Sequence, residues 1–432
     1  MSRTMKYTGI EWLGEIPESW EVKKVRNVFF RRKEINQTSD PIILSLARDG
    51  VKVRDISNNE GQLAESYDNY HIVYKGDLMI NPMDLVSGAN CSVSENEGVI
   101  SPAYINLAKK VDCNSRYFDY YFKNQYWVKA MFIHGKGVSF DNRWTITAET
   151  LMNYYIPFPA KEEQDKIATY LDEKTKKIDY LIEKNKEIIK LLNDYFKSLT
   201  TEYTTGKRYI VQKKDSEIEW IGEIPKTWNI ISFKNIMKER NEKNNPVKSK
   251  TRLSLSIDKG ITTYSEKTTN LDRFKEEFEQ YKLAHIGDLV FNSMNMIVGA
   301  VGYSNYYGCV SPVYYTYYDE DGEYHYYSRF YEYLFRSKGI RKKLYSIGRG
   351  IISFDKGDDQ INTCRLKISR DDLRGFKVPL PPYNEIKTIV DDLDERKKQI
   401  NNVIKIREQI IEKLEEYKKS LIYECVTGKR EV

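Results

Sequence analysis

At 432 residues the chain is long for one hydrophobic core, so two to four domains are expected. Its composition is globular, 40% hydrophobic and 31% charged, and no apolar run approaches the roughly 18 residues that a membrane-spanning helix needs. The net charge of +6 is the remainder of 69 basic against 63 acidic side chains, which permits an anionic partner without demanding one.

The N-terminal stretch MSRTMKYTGIEW has no apolar core of a secretory signal, and a cytoplasmic protein is expected. Cys91, Cys113, Cys309, Cys364 and Cys425 form no CxxC pair and are odd in number. They read as free thiols, mostly buried. Thirty-four tyrosines, clustered at Tyr314–Tyr318 and Tyr324–Tyr327, suit half-buried surfaces and interfaces.

The first motif in chain order is EWLGEIPESW (Glu11–Trp20), and EWIGEIPKTW (Glu219–Trp228) repeats it. GDLMINPMDLVSGA (Gly76–Ala89) is likewise echoed by GDLVFNSMNMIVGA (Gly287–Ala300), and ISPAY (Ile100–Tyr104) by VSPVY (Val310–Tyr314). GKGVSFD (Gly135–Asp141) returns as GRGIISFD (Gly348–Asp355), and YTTGKR (Tyr203–Arg208) as CVTGKR (Cys425–Arg430). The order is kept throughout, at a spacing of roughly 210 residues, far above solenoid repeat lengths. The chain is a tandem duplication of a domain-sized unit.

Within the first unit, residues 21–155 are short apolar runs broken by Gly, Asn, Asp and Pro, the texture of strands and tight turns. A helical patch, Arg116–Phe132, lies among them and is answered by Arg329–Ser346. Each globule is therefore expected to be mixed α/β. After Pro157 and Pro159 the pattern becomes helical. Ile167, Leu171, Lys174, Ile178, Leu181, Asn185, Ile188, Leu192, Tyr195 and Leu199 fall at alternating spacings of four and three. Ile389, Leu393, Arg396, Ile400, Val403, Arg407, Ile410, Leu414, Tyr417 and Leu421 repeat them. These are heptad seams on rods of about 40 residues, each about 60 Å long at 1.5 Å per residue. A helix of that length outruns any core its own globule offers. The expected fold is α+β: two mixed globules alternating with two long helices that pair as an antiparallel coiled coil. The expected boundaries are 1–155 for the first globule, 156–208 for the first helix, 209–377 for the linker and second globule, and 378–432 for the second helix and tail.

Catalytic chemistry finds no foothold. His71, His134, His285 and His325 are scattered without metal-ligand spacing, and no phosphate loop or GxSxG elbow occurs. NPMD (Asn81–Asp84) is similar to the Asn-Pro-Pro-aromatic loop of adenine methyltransferases, but it lacks the aromatic and its second copy reads NSMN (Asn292–Asn295). A turn after a strand is the better reading. Asp77 and Asp288 sit in GDL turns, where an aspartate serves its own backbone. No catalytic residue, bound cofactor or metal ligand is assigned. Arg48, Lys136 and Arg143 in the first globule, and Lys259, Arg349 and Lys356 in the second, occupy loops and are candidate DNA contacts.

The paired Trp12–Trp20 and Trp220–Trp228 motifs, the Pro-x-Pro segments with the turns at Glu163–Gln164 and Glu385–Ile386, and the terminal TGKR pieces together resemble the specificity subunits of type I DNA restriction-modification systems, over nearly the whole chain. The resemblance implies that each globule is a target recognition domain reading one half of a split, asymmetric double-stranded DNA sequence. It implies that the helices set the unread gap, and that two modification subunits carrying S-adenosylmethionine and adenine-N6 methylation dock on them. Restriction subunits would add translocation and cleavage with ATP and Mg2+, so the cofactors belong to the partners and none to this chain. The repeated WLGEIP pieces are then expected to pack around the helix ends. Two rival readings are a tandem scaffold that never meets DNA and a methyltransferase with an atypical loop.

Overall fold

A computed structural model describes residues 3–47, 49–55, 64, 66–83, 85, 91–137, 144–257, 259–267, 277–320, 324–351 and 365–432. The chain divides into two units: Met1–Lys186 with Glu408–Val432, and Glu187–Arg407. Packing thus cuts the chain differently from its elements, because each long helix gives one half to each unit.

In the first unit, strands Phe29–Arg31, Ile105–Lys109, Leu78–Ile80 and Cys91–Val93 lie in that order in an antiparallel sheet. Leu107 faces Arg31 on one side and Leu78 on the other. The run Leu78–Ile80 is buried throughout, as befits an apolar strand covered on both faces. Helix Ser115–Trp127 covers the sheet with Tyr117, Phe118, Tyr121 and Phe122, all fully buried. The helix starts where it does because Asn114 Oδ1 accepts the N–H groups of Arg116 and Tyr117, at 2.9 and 3.3 Å. Phe118 meets Phe29 edge-on at 5.2 Å, which ties helix to sheet. A separate ribbon pairs Glu21–Lys24 with Tyr155–Phe158, joining the residues after Trp20 to the segment that leads into the first long helix.

The second unit repeats this plan. Its sheet runs Lys238–Arg240, Tyr314–Tyr318, Leu289–Asn292, Val301–Tyr303, and its outer ribbon pairs Asn229–Ser232 with Lys377–Leu380. Helix Tyr326–Arg336 covers the sheet, and Phe233 sits among Phe291, Tyr317, Tyr331 and Phe335 with ring centroids 5.1–5.8 Å away. The two units differ just after the covering helix. The first has a 3-10 turn, Phe132–His134, where the second has a further helix, Lys338–Ile347.

The long helices span Lys161–Thr204 and Tyr383–Val426. Within the first unit they run antiparallel: Asp179 pairs with Lys418 at 2.6 Å, while Tyr170, earlier on its helix, meets Arg430, beyond the end of the other. Within the second unit, Tyr203 donates to Asp392, and Tyr209 lies near Glu385, again in opposite order.

The packed faces drift from a strict seven-residue seam. Ile167, Leu171, Ile178, Ile389 and Leu393 are buried, and Ile188, Leu192, Ile400, Ile410 and Leu414 are half-buried. Leu181 and Val403, both expected in the seam, are instead 47% and 40% exposed, and their places are taken by Ile182 and Ile404. Ile167 to Ile178 and Leu171 to Ile182 are eleven-residue steps. A straight helix turns once per 3.6 residues, so a seven-residue repeat slips by about 20° per heptad, whereas eleven residues close almost evenly on three turns.

The cysteines Cys91, Cys113, Cys309 and Cys425 are buried and unbridged; Cys364 lies outside the described residues. Among the described residues no helix is long and apolar enough to cross a membrane.

Candidate nucleic-acid interface and the repeated clusters

The repeated motifs meet in space. In the first unit Trp20 is fully buried, and its Nε1 donates to Glu163 Oε2 at 2.9 Å, in the first turn of the long helix. Arg3 pairs with the other Glu163 oxygen at 2.5 Å and lies 5.4 Å over the Trp20 ring. The TGKR piece ending the second long helix closes the cluster. Gly428 takes φ +72°, and a Cβ there would sit 2.3 Å from Pro17 and 3.2 Å from Trp20. The second unit builds the same object: Trp228 Nε1 donates to Glu385 Oε2 at 2.7 Å, and Gly206 at φ +71° lies against Pro225 and Trp228. Each WLGEIP motif thus holds the start of one long helix and the end of the other. The departure at the next position has a local cause. Gln164 is buried and bridges the Asn114 N–H and the Pro159 carbonyl at 2.9 and 2.8 Å, while Ile386 fills its place with an apolar side chain.

The GDL aspartates are structural anchors. Asp77 accepts from the Tyr74 N–H at 3.1 Å, from Asn106 Nδ2 at 3.1 Å and from Arg32 Nε at 3.0 Å. Asp288 accepts from the His285 N–H and from Arg240 Nε, both at 2.8 Å. Burial pushes the Asp288 carboxyl above its ordinary range, and the Arg240 pairing opposes that shift without cancelling it. Each aspartate stands alone, and among the described residues no cluster of three metal-ligating side chains exists.

The suspected methyltransferase-like loops are Asx turns. Asn81 Oδ1 accepts the Met83 N–H at 3.0 Å, and Asn292 Oδ1 accepts that of Met294 at 3.1 Å, so both side-chain oxygens serve their own backbone. The histidines are equally dispersed: His285 bonds Glu242, His325 bonds Asp319, and His134 packs edge-on against Trp12.

Of the candidate DNA contacts, Lys136, Lys259 and Arg349 are exposed. Lys136 exchanges backbone hydrogen bonds with Thr145, Lys259 sits in the turn joining Leu253–Ser256 to Gly260–Thr263, and Arg349 opens a short strand paired with Arg365–Lys367. Arg48, Arg143 and Lys356 lie outside the described residues. The helix Lys338–Ile347, which supplies none of the expected contacts, also exposes Lys338, Lys342 and Lys343.

Each unit thus combines an α/β globule with antiparallel stretches of the long helices, polar side chains held in internal anchors and basic side chains on exposed loops. Residues 17–191 match the family described as type I restriction modification DNA specificity domain. The chain is 26% identical over 250 residues to the type I restriction enzyme MjaIX specificity subunit of Methanocaldococcus jannaschii, covering 54% of this chain and 55% of that protein. It is 23% identical to the MjaVIII specificity subunit of the same organism, over 96% of this chain and 93% of that one. Among solved structures it is similar to a chain from a study of complex assembly and conformational transition of the type I R-M system, with TM-score 0.61, 13% identity, and 95% and 98% of the two chains covered. The HsdS subunit from Thermoanaerobacter tengcongensis gives 0.50 and 12%, over 98% of this chain and 100% of that one. The domain model and both curated relatives thus agree in what this chain is similar to, the specificity subunits of type I restriction-modification systems.

Proposed function

We propose that each unit reads one half of a bipartite, asymmetric target in double-stranded DNA, while the long helices set the unread gap between the halves. Two modification subunits dock on the helix ends, bringing S-adenosylmethionine and adenine-N6 methylation; restriction subunits bring ATP, Mg2+, translocation and cleavage. The observation that supports this reading is the twofold occurrence of one cluster, Trp20–Glu163–Gly428 and Trp228–Glu385–Gly206. A buried cluster built twice holds two like pairs of helix ends, which suits two copies of one partner, and the loops of each unit are free to differ in the bases they meet.

The test is reconstitution. The purified chain, a type I modification subunit, S-adenosylmethionine and genomic DNA are combined, and methylated adenines are mapped by single-molecule sequencing. The expected result is no methylation by the chain alone and, with the partner, methylation within one two-part motif having a constant gap. Methylation by the isolated chain, or a motif without a gap, overturns the reading.

A further inference from the structure

The helix Lys338–Ile347 carries Lys338, Arg341, Lys342 and Lys343 and no acidic residue. Its buried face is Ile340 and Leu344, with Arg341 Nε donating to the Ile297 carbonyl at 3.0 Å, so the helix is fastened to the unit by that side. Lys338, Lys342 and Lys343 are exposed, and among the described residues none of the three forms an ion pair with a carboxylate. Lys338 and Lys342 stand one turn apart, an unfavourable like-charge arrangement for an isolated helix. Nothing on the helix compensates it, which is what a surface awaiting an external anion requires.

Arginines flank the helix on both sides, the first of them ion-paired with Glu332 at 3.1 Å. Arg336, just before it, donates through Nη2 to the Ile257 carbonyl at 2.5 Å, and so holds the turn that presents Lys259. Arg349 comes after its last turn and is exposed. At 1.5 Å per residue the ten-residue helix is about 15 Å long, the rise of about four base pairs of duplex DNA. The corresponding stretch of the first unit is different in kind: Val128 and Ile133 are exposed there, and Lys129 and Lys136 are its lysines.

Resting on the proposed reading of DNA by both units, we infer that the Lys338–Ile347 helix lies along a DNA phosphate backbone, and that the second unit supplies a larger share of the salt-dependent affinity than the first. Phosphate contacts position a protein without carrying sequence information. Removing them therefore lowers affinity and leaves the target unchanged.

The test uses the full chain assembled with its modification subunits. DNA affinity is titrated across a series of salt concentrations for the wild type, for K338Q/K342Q/K343Q, for the single variant K342Q, and for K338R/K342R/K343R. Each lost phosphate contact lowers the slope of log affinity against log salt by about 0.9. The triple glutamine variant is expected to lose between two and three of slope, K342Q about one, and the arginine variant none, with the methylated motif the same in all four. Should the triple glutamine variant not assemble, K342Q carries the comparison. A wild-type slope in the glutamine variants, with methylation intact, overturns this inference and leaves the proposed function standing. A wild-type complex that methylates no defined motif overturns both.

Discussion

Trp20 donates its indole N–H to Glu163 at 2.9 Å across 143 positions of sequence, and Trp228 donates to Glu385 in the same way at 2.7 Å. The second tryptophan of each repeated motif is thus the residue that seats a long helix on its unit. Replacing Trp20 or Trp228 by phenylalanine keeps most of the ring and deletes the donor. A hydrogen bond to a charged group contributes about 1.5–3 kcal/mol; with Arg3 and solvent still reaching Glu163, a loss of about 1–2 kcal/mol is expected for Trp20→Phe. Urea unfolding of the two variants checks it, and unchanged midpoints would show that the contact contributes nothing.

Three glycines share one backbone conformation and differ in surroundings. Gly9, Gly206 and Gly428 have φ of +72°, +71° and +72°, but a Cβ meets nothing within 4 Å at Gly9 and meets Pro225 or Pro17 at 2.3 Å at the others. Alanine at Gly9 should cost only the left-handed strain, about 1–2 kcal/mol. At Gly206 and Gly428 the clash adds a further 1–3 kcal/mol or so. Thermal melting of the three variants reads the order, and equal losses would remove the role given to the TGKR pieces.

The phase of the helix pairing is open to a direct comparison of neighbours. Ile182 is 6% exposed and Leu181 47%. Ile182→Ala should destabilise by about 2–4 kcal/mol, and Leu181→Ala by about 0.5 kcal/mol or less. The reverse order, measured by denaturant unfolding, would restore the strict heptad.

The first unit should weaken in mild acid. Burial, together with the nearby charges of Arg31 and Lys33, holds the His71 imidazole below its ordinary value, and burial does the same to His134. The folded state therefore prefers both rings neutral, while the unfolded chain takes up protons from about pH 6.5 downward. Their contribution to stability is complete above that pH and is lost as the pH falls through the lower folded values. Melting temperature measured from pH 7.5 to 5 should fall less steeply in His71→Gln and His134→Gln than in the wild type. Parallel curves would exclude these two groups as the cause.

On the proposed reading the long helices are the ruler. Four residues inserted after Asn185 lengthen the helix by about 6 Å and rotate its remaining turns by about 40°. The two half-sites should keep their bases while the gap grows by one or two base pairs at 3.4 Å each, as read by methylation mapping. An unchanged gap in an active variant would assign the spacing to some other element.

The duplication, the long helices and the α/β texture of each globule were legible in the residues alone, because repeats, apolar periodicity and turn chemistry are local properties of a chain. Asx turns at Asn81 and Asn292 belong with them, since a side chain and a backbone two residues on need no distant partner. Three matters were decided only by the tertiary structure. Heptad spacing names Leu181 and Val403, but an α-helix turns once per 3.6 residues rather than 3.5, and the burial found is that of Ile182 and Ile404. WLGEIP and TGKR are visible as repeats, yet their meeting depends on Gly428 reaching Pro17 from the opposite end of the chain, a contact that no local pattern encodes. In the basic run Arg341–Lys343, which cations are tied inward, like Arg341, and which are left facing water, like Lys342, depends on the face that Ile340 and Leu344 bury.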